Sequence, residues 1–177
     1  MKRNTVFVAA LGAFIIALDQ IAKQLVSTLL PLNGVWSPFP GPDPFFRIVY
    51  VFNTGAAFGS FKDFGVVFIP IAFIVIGGIL YYSRQIGADQ KLMRVALGFM
   101  LGGAGGNLVD RLFRGGQVID LLDVGLGTTR WYVSNFADIS IVLGVALLAL
   151  AMWREEKKSK QQPATPIAPD SNSTEPM

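Results

Sequence analysis

The chain has 177 residues, 52% of them hydrophobic and only 15% charged, with 15 Lys and Arg against 12 Asp and Glu for a net charge of +3. Zero Cys and zero His exclude thiolate and imidazole catalysis, disulfides and zinc sites built from the usual ligands, so any chemistry rests on carboxylates, hydroxyls, Lys or Arg. Apolar windows longer than ordinary core elements place the chain among polytopic membrane proteins, and the modest charge offers nothing for a nucleic-acid partner.

The first predicted element is a spanning helix over about 5–30. Its start, MKRN followed by an apolar run, resembles a signal peptide. The run continues past Asp19 and Lys23 to Leu30 without a small-residue cleavage site, which makes it a retained helix. An ionisable residue inside a span costs about 2.5–3.5 kcal/mol at the helix centre and is a functional hypothesis by default. Asp19 and Lys23 share one face at i, i+4 spacing, and a structural ion pair is the leading reading for them. A Ser–Lys dyad using Ser27, one turn from Lys23, is the alternative, although neighbours on one helix leave little room for a substrate.

In the loop 31–63, Pro31, Pro38, Pro40, Pro42 and Pro44 forbid a helix in the first half, while FFRIVYVFN is aromatic and β-branched enough for a strand before the turn at NTGAAFGS. A second span follows at 64–83 with no polar residue reaching its middle. That argues against a transporter or proton pathway, which needs polar groups at the midplane and in the cytoplasmic half. The third span, 92–113, carries Gly98, Gly102 and Gly106 at four-residue intervals, the small-residue stripe of close helix packing in lipid. It follows no strand, so a phosphate-binding loop is a poor reading. Asn107, Asp110 and Arg111 close this helix, with Asp110 and Arg111 placed to satisfy backbone groups of the next loop.

That loop contains Asp120 in the strand-like stretch from Val118 to Leu122, within GGQVIDLLDVG. The fourth span, 134–153, opens on SNFADIS. The roughly 15 residues between Asp138 and Arg154 cover only about 22 Å of a ~30 Å hydrocarbon layer, so the span starts earlier and Asp138 sits about one turn inside the outer boundary. An aspartate there could cap the helix, but Asn135 could do so equally well. Asp120 and Asp138 are joined by an excursion that begins and ends at one membrane face. Two carboxylates in a partly dehydrated site cannot both ionise easily and can share a proton. The ionised member then activates water and the protonated one donates to a carbonyl oxygen.

Residues 154–177 begin basic and continue with Pro, Ser and Thr, the composition of a disordered tail. Lys2, Arg3, Arg84, Lys91, Arg94, Arg154, Lys157, Lys158 and Lys160 flank the spans on one side, against Arg47, Lys62, Arg111, Arg114 and Arg130 on the other. Positive flanks stay in the cytoplasm, so both termini are expected there and both long loops outside. One membrane domain, 1–153, and a cytoplasmic tail, 154–177, result.

Five motifs in order, LDQIAK, NTGAAFG, GGNLVDR, VID and NFAD, resemble the bacterial lipoprotein signal peptidase family, signal peptidase II, over nearly the whole chain to Trp153. The resemblance implies an all-α polytopic inner-membrane enzyme: four transmembrane helices, a small β-rich outer platform, and aspartyl peptidase chemistry. It implies prolipoprotein substrates cut just before a diacylglyceryl-modified Cys and contact with membrane lipid; a monomer that uses no cofactor or metal is expected. Residue by residue, it places the catalytic aspartates on Asp120 and Asp138 and site-shaping roles on Asn53, Gly55, Asn107, Asp110, Arg111 and Asn135. The sequence departs from the family's pattern with Leu121 and Ser134 where Phe is usual, and with one extra residue in DRLFRGGQVID. That extra residue makes Asp123 a rival to Asp120. Phe45, Phe46, Phe58 and Phe61 of the outer loop are then available to cover a substrate at the interface.

Overall fold

A computed structural model describes residues 3–39, 41, 44–54, 65–87 and 89–161. Within them the apolar runs form four helices: α1 (Arg3–Leu29), α2 (Phe68–Tyr82), entered through a 3-10 turn at Gly65–Val67, α3 (Lys91–Phe113) and α4 (Phe136–Gln161). All four are long and apolar enough to cross a membrane, α2 together with its entry turn. The spans expected from the sequence fall on these helices. α4 continues to Gln161, past the boundary expected at Trp153. Ion pairs at helical spacing support the extension, Glu155 with Lys158 at 3.2 Å and Glu156 with Lys160 at 2.6 Å. The rest of the expected tail lies outside the described residues.

α3 is the central helix, and its glycines explain why. A Cβ added to Gly98, Gly102 or Gly106 would come within 2.6, 2.5 and 2.7 Å of Leu11, Ile15 and Asp19 of α1. Rising numbers on α1 meet rising numbers on α3, so the two helices run parallel. On the other side, a Cβ at Gly103 would run into the Ala137 carbonyl oxygen, and one at Gly144 of α4 would lie 2.6 Å from Met100. α3 and α4 therefore run antiparallel, and small residues let both contacts close. α2 returns to the start of α1, where Ser83 Oγ donates to Thr5 Oγ1 at 3.1 Å. The start of α1 and the end of α4 thus share one end of the bundle, packed around Val8, Ile79, Met93, Leu97, Leu101 and Ala151.

The opposite end carries an antiparallel sheet in the order β1 (Val35–Trp36), β2 (Phe46–Asn53), β3 (Val118–Leu126) and β4 (Thr129–Arg130). The aromatic and β-branched run becomes β2, and the strand-like stretch around Asp120 extends as β3. Gly115 and Gly116, at φ 62° and 86°, turn the chain out of α3 in a left-handed conformation that side-chain-bearing residues avoid. The ladder fixes the register of the strand that follows: Val51 stands opposite Asp120 and Arg47 opposite Asp123. Asp123 is buried between two arginines, accepting from Arg47 Nε at 2.7 Å and from Arg130 Nε at 3.0 Å. It braces three strands.

Candidate active site

Two clusters of carboxylates meet where the sheet joins the bundle. The first is ionic. Lys23 Nζ lies 2.7 Å from Asp19 Oδ2 and 2.9 Å from Asp110 Oδ2, and all three side chains have zero exposure. Charges that deep persist only when paired and hydrogen-bonded, and this set is both. Gln20 Nε2 donates to Asp110 Oδ1 at 3.1 Å and to Asp19 Oδ2 at 3.2 Å. The two carboxylates also hold backbone: Asp19 Oδ1 accepts from the Ala137 N–H, and Asp110 Oδ2, the oxygen that meets Lys23, accepts from the Ile119 N–H, each at 3.0 Å. The cluster thereby fastens the start of α4 and the start of β3 to α1 and α3. Ser27 is no partner of Lys23; its hydroxyl donates to the Gln24 carbonyl oxygen at 3.0 Å.

The second cluster contains Asp120 and Asp138. Ser134 exchanges backbone hydrogen bonds with Leu122 at 2.8 and 3.0 Å, which sets the chain entering α4 against β3. Asn135 then joins the two aspartates through one side chain. Its Nδ2 donates to Asp120 Oδ1 at 2.7 Å, and its Oδ1 accepts the Asp138 N–H at 2.9 Å. The second bond is a helix N-cap, and Asp19 already takes the Ala137 N–H. Capping is therefore done by other residues, and the Asp138 carboxylate is left for other work. Asn107 Nδ2 donates to Asp138 Oδ1 at 2.8 Å, while its Oδ1 accepts from Lys23 Nζ at 3.4 Å. Asn53, diagonal to Asp120 across the β2–β3 ladder, donates through Nδ2 to Asp120 Oδ2 at 2.9 Å and to the Tyr132 hydroxyl at 3.0 Å.

Burial pushes the Asp120 carboxyl up to about 6, against the Asn53 hydrogen bond that favours the charged form; the charge of Asp138 adds to the rise, and Asn135 and Lys23 oppose it. Burial also pushes the Tyr132 phenol up to about 12, aided by the two aspartates. Tyr132 therefore stays a neutral hydroxyl. Among the described residues neither Asp120 nor Asp138 forms an ion pair. Asp138 is half-buried, open enough for water to reach it.

Of the residues singled out in the sequence, Asn53, Asn107, Asn135, Asp120 and Asp138 form this second cluster, and Asp19, Lys23 and Asp110 form the first. Gly55, Phe58 and Phe61 lie outside the described residues. Arg111 projects toward a cleft of about 330 Å³ between α2, α3 and α4, where Phe68, Ile71, Val75 and Ile141 accompany Asn107. Its guanidinium carbon is 5.2 Å from the Phe68 ring centroid. Its buried Nε has no hydrogen-bond partner among the described residues. Gln20 and Tyr132 join the two clusters although the sequence assigned neither a role. Gln20 stood beside Asp19 in LDQIAK, so its share in the cluster had a local hint; Tyr132 had none.

The family described as Signal peptidase (SPase) II matches residues 11–154. The lipoprotein signal peptidase of Symbiobacterium thermophilum is 42% identical over 146 residues, which cover 81% of this chain and 91% of that protein. The lipoprotein signal peptidase of Geobacter metallireducens is 38% identical over 164 residues, 91% of this chain and 99% of that one. A solved structure of a bacterial membrane enzyme superposes with a TM-score of 0.75 at 25% identity, covering 89% of this chain and 94% of the other. With four helices able to span a bilayer, the chain is a multi-pass membrane protein.

Proposed function

The chain belongs to the signal peptidase II family, and from that premise we propose that it removes signal peptides from prolipoproteins with Asp120 and Asp138 as its catalytic carboxylates. The observation that carries the assignment is the Asn135 side chain, which bonds both residues and holds them in one site. Asp120, with its raised pKa, is the proton donor; half-buried Asp138 is the base. Water attacks the scissile carbonyl carbon as Asp138 takes a water proton and Asp120 gives its own to the carbonyl oxygen. The tetrahedral intermediate collapses with breakage of the C–N bond. Asp138 passes its proton to the leaving amine, Asp120 recovers one from the intermediate's hydroxyl, and both return to their starting states.

The substrate's apolar signal segment lies in the cleft between α2 and α4, where a helix keeps its backbone groups satisfied among Ile71, Val75 and Ile141. Arg111 Nε, buried without a partner among the described residues, is a donor for a backbone carbonyl near the cut. The amine released belongs to a Cys carrying a diacylglyceryl group, which holds the bond near the outer membrane surface. Both termini are cytoplasmic, and the sheet, with the dyad beneath it, faces outward from the bacterial inner membrane. Arg154, Lys157, Lys158 and Lys160 at the end of α4 are the basic flank that supports this orientation.

Purified protein incubated with a lipidated prolipoprotein and with its unlipidated form tests the substrate: cleavage of the lipidated form alone is expected, and equal cleavage of both removes the lipid from the reading. A Thr165→Cys variant tests the orientation in a chain with no other Cys. Labelling by an impermeant reagent in intact cells would overturn it.

A further inference from the structure

The cleft between α2 and α4 has a counterpart built from other elements. Val26 of α1 with Leu121 and Leu122 of β3 form a buried apolar floor. Ala22, Leu25, Trp36, Ile48 and Phe136 rise around it, enclosing about 470 Å³. Among the described residues none lining this space carries a charge, whereas the first cleft is lined in part by Asn107 and Arg111. The space also adjoins the dyad through the chain itself. Leu121 directly follows Asp120, and successive strand residues point to opposite faces, so the cleft lies across β3 from the Asp120 carboxylate. Phe136 stands two residues before Asp138 in the same first turn of α4.

We propose that this second cleft receives an acyl chain of the substrate's diacylglyceryl group, a reading that rests on the lipidated substrate proposed above. The scissile bond has the signal peptide on one side and the lipidated Cys on the other, so the two apolar parts of the substrate leave the dyad by different routes. The wall chemistry decides which part goes where. The residues at the cut leave the helix and bring free N–H and C=O groups, which Asn107 and Arg111 of the first cleft can meet and the aliphatic and aromatic walls of the α1–sheet cleft cannot. A hydrocarbon chain brings none. A host phospholipid has the same hydrocarbon, but its headgroup is not tied to the scissile bond, and the position of the cleft beside Asp120 and Asp138 serves a tethered chain. Lipid tails are as apolar as leucine, so the cleft gains little from removing the chain from the bilayer. Its effect is to orient the Cys and the bond before it.

The test compares dibutyrylglyceryl and dipalmitoylglyceryl forms of one prolipoprotein. The wild type should favour the long-chain form in kcat/KM by about three- to tenfold, the size of a modest orientation effect. Ala22→Phe and, separately, Leu25→Trp fill the cleft; each should bring that ratio near one while leaving turnover of the short-chain form unchanged. In the unmutated protein, a diazirine at the end of a palmitoyl chain should label segments 22–30 and 35–48. Label confined to 68–75 and 141, or an unchanged chain-length ratio in both variants, overturns the proposal. So does a preference that follows the host lipid's chain length instead of the substrate's. Failure of the underlying reading is seen separately, as wild-type cleavage of the unlipidated form at the lipidated rate.

Discussion

The two carboxylate clusters touch the same asparagine and differ in what balances them. Asp19 and Asp110 share a buried ammonium, Lys23 Nζ, at 2.7 and 2.9 Å. Asp120 and Asp138 are held by the amides of Asn53, Asn135 and Asn107 at 2.7–2.9 Å. A cation in a dry site fixes charge as well as position, because removing the proton balance would leave a bare ion. An amide N–H donates to a carboxyl oxygen in either protonation state, so it fixes position and leaves the proton movable. The first cluster is therefore built to hold the helices and strands in place, and the second to do acid–base work. Each substitution below attacks one side of that distinction.

The largest effect is expected from Asp120→Asn and Asp138→Asn. Each keeps the size and most of the hydrogen bonding while removing the shared proton or the base. Turnover of lipidated prolipoprotein should fall about a thousandfold or more in either variant, with substrate binding, measured separately, retained. The double variant should be scarcely worse than either single one, since the pair acts as a unit. Near-normal turnover by either single variant would end the dyad assignment.

Lys23→Ala attacks the other cluster. It leaves Asp19 buried without a cation and Asp110 with Arg114 alone, at 3.3 Å, a loss of about 3–5 kcal/mol, and should appear as low folded yield and a lower Tm. Because Asp19 and Asp110 also hold the Ala137 and Ile119 N–H groups, the defect spreads to the starts of α4 and β3. Ser27→Ala should change neither yield nor turnover. Wild-type yield for Lys23→Ala with complete loss of turnover would instead restore a Ser–Lys mechanism.

A finer test reads the proton itself. With Asp120 as the donor and its pKa at about 6, the alkaline limb of kcat/KM should have a midpoint of about 6, because that profile reports the free enzyme. The Asn53 hydrogen bond favours the ionised form, so its loss in Asn53→Ala must raise the pKa and carry the alkaline limb to higher pH. A charge-assisted hydrogen bond of ~1.5 kcal/mol at ~1.4 kcal/mol per unit gives a shift of about one pH unit. A shift confined to the acid limb would make Asp120 the base.

Much of this arrangement is legible in the sequence where the signal is local. Apolar runs of bilayer length gave the four helices, and the Gly98, Gly102 and Gly106 stripe gave close packing, though not its partner residues Leu11, Ile15 and Asp19. What stayed hidden depends on distant pairing. Asp19 holds the N–H of a residue 118 positions away, and no spacing along α1 announces that its carboxylate organises the entrance to α4. Tyr132 enters the site only because β2 places Asn53 beside it. The end of α4 was hidden for a different reason: composition marks where a helix leaves the hydrocarbon, and ion pairs among exposed charges then carry it further in water.

The smallest effect on activity is expected at Asp123, and it is the sharpest comparison because only position separates it from Asp120. Both are buried aspartates on β3, three residues apart, one standing opposite Val51 of β2 and the other opposite Arg47. Asp120 meets amides; Asp123 meets Arg47 and Arg130, and Arg130 continues to the Pro44 carbonyl oxygen at 2.8 Å. A carboxylate whose two oxygens are both taken by guanidinium groups is spent on the sheet rather than free to meet a substrate. Asp123→Asn should therefore keep turnover within about threefold of wild type, the scale of a neutral-for-charged hydrogen bond exchange away from the reacting atoms. Its cost should fall on the sheet, as a lower Tm, because two arginines lose the anion that joins β2, β3 and β4. Turnover and thermal unfolding of Asp120→Asn and Asp123→Asn, measured side by side, should thus show opposite patterns. An inactive Asp123→Asn beside an active Asp120→Asn would move the first catalytic aspartate three residues along and make the amide-held position the structural one.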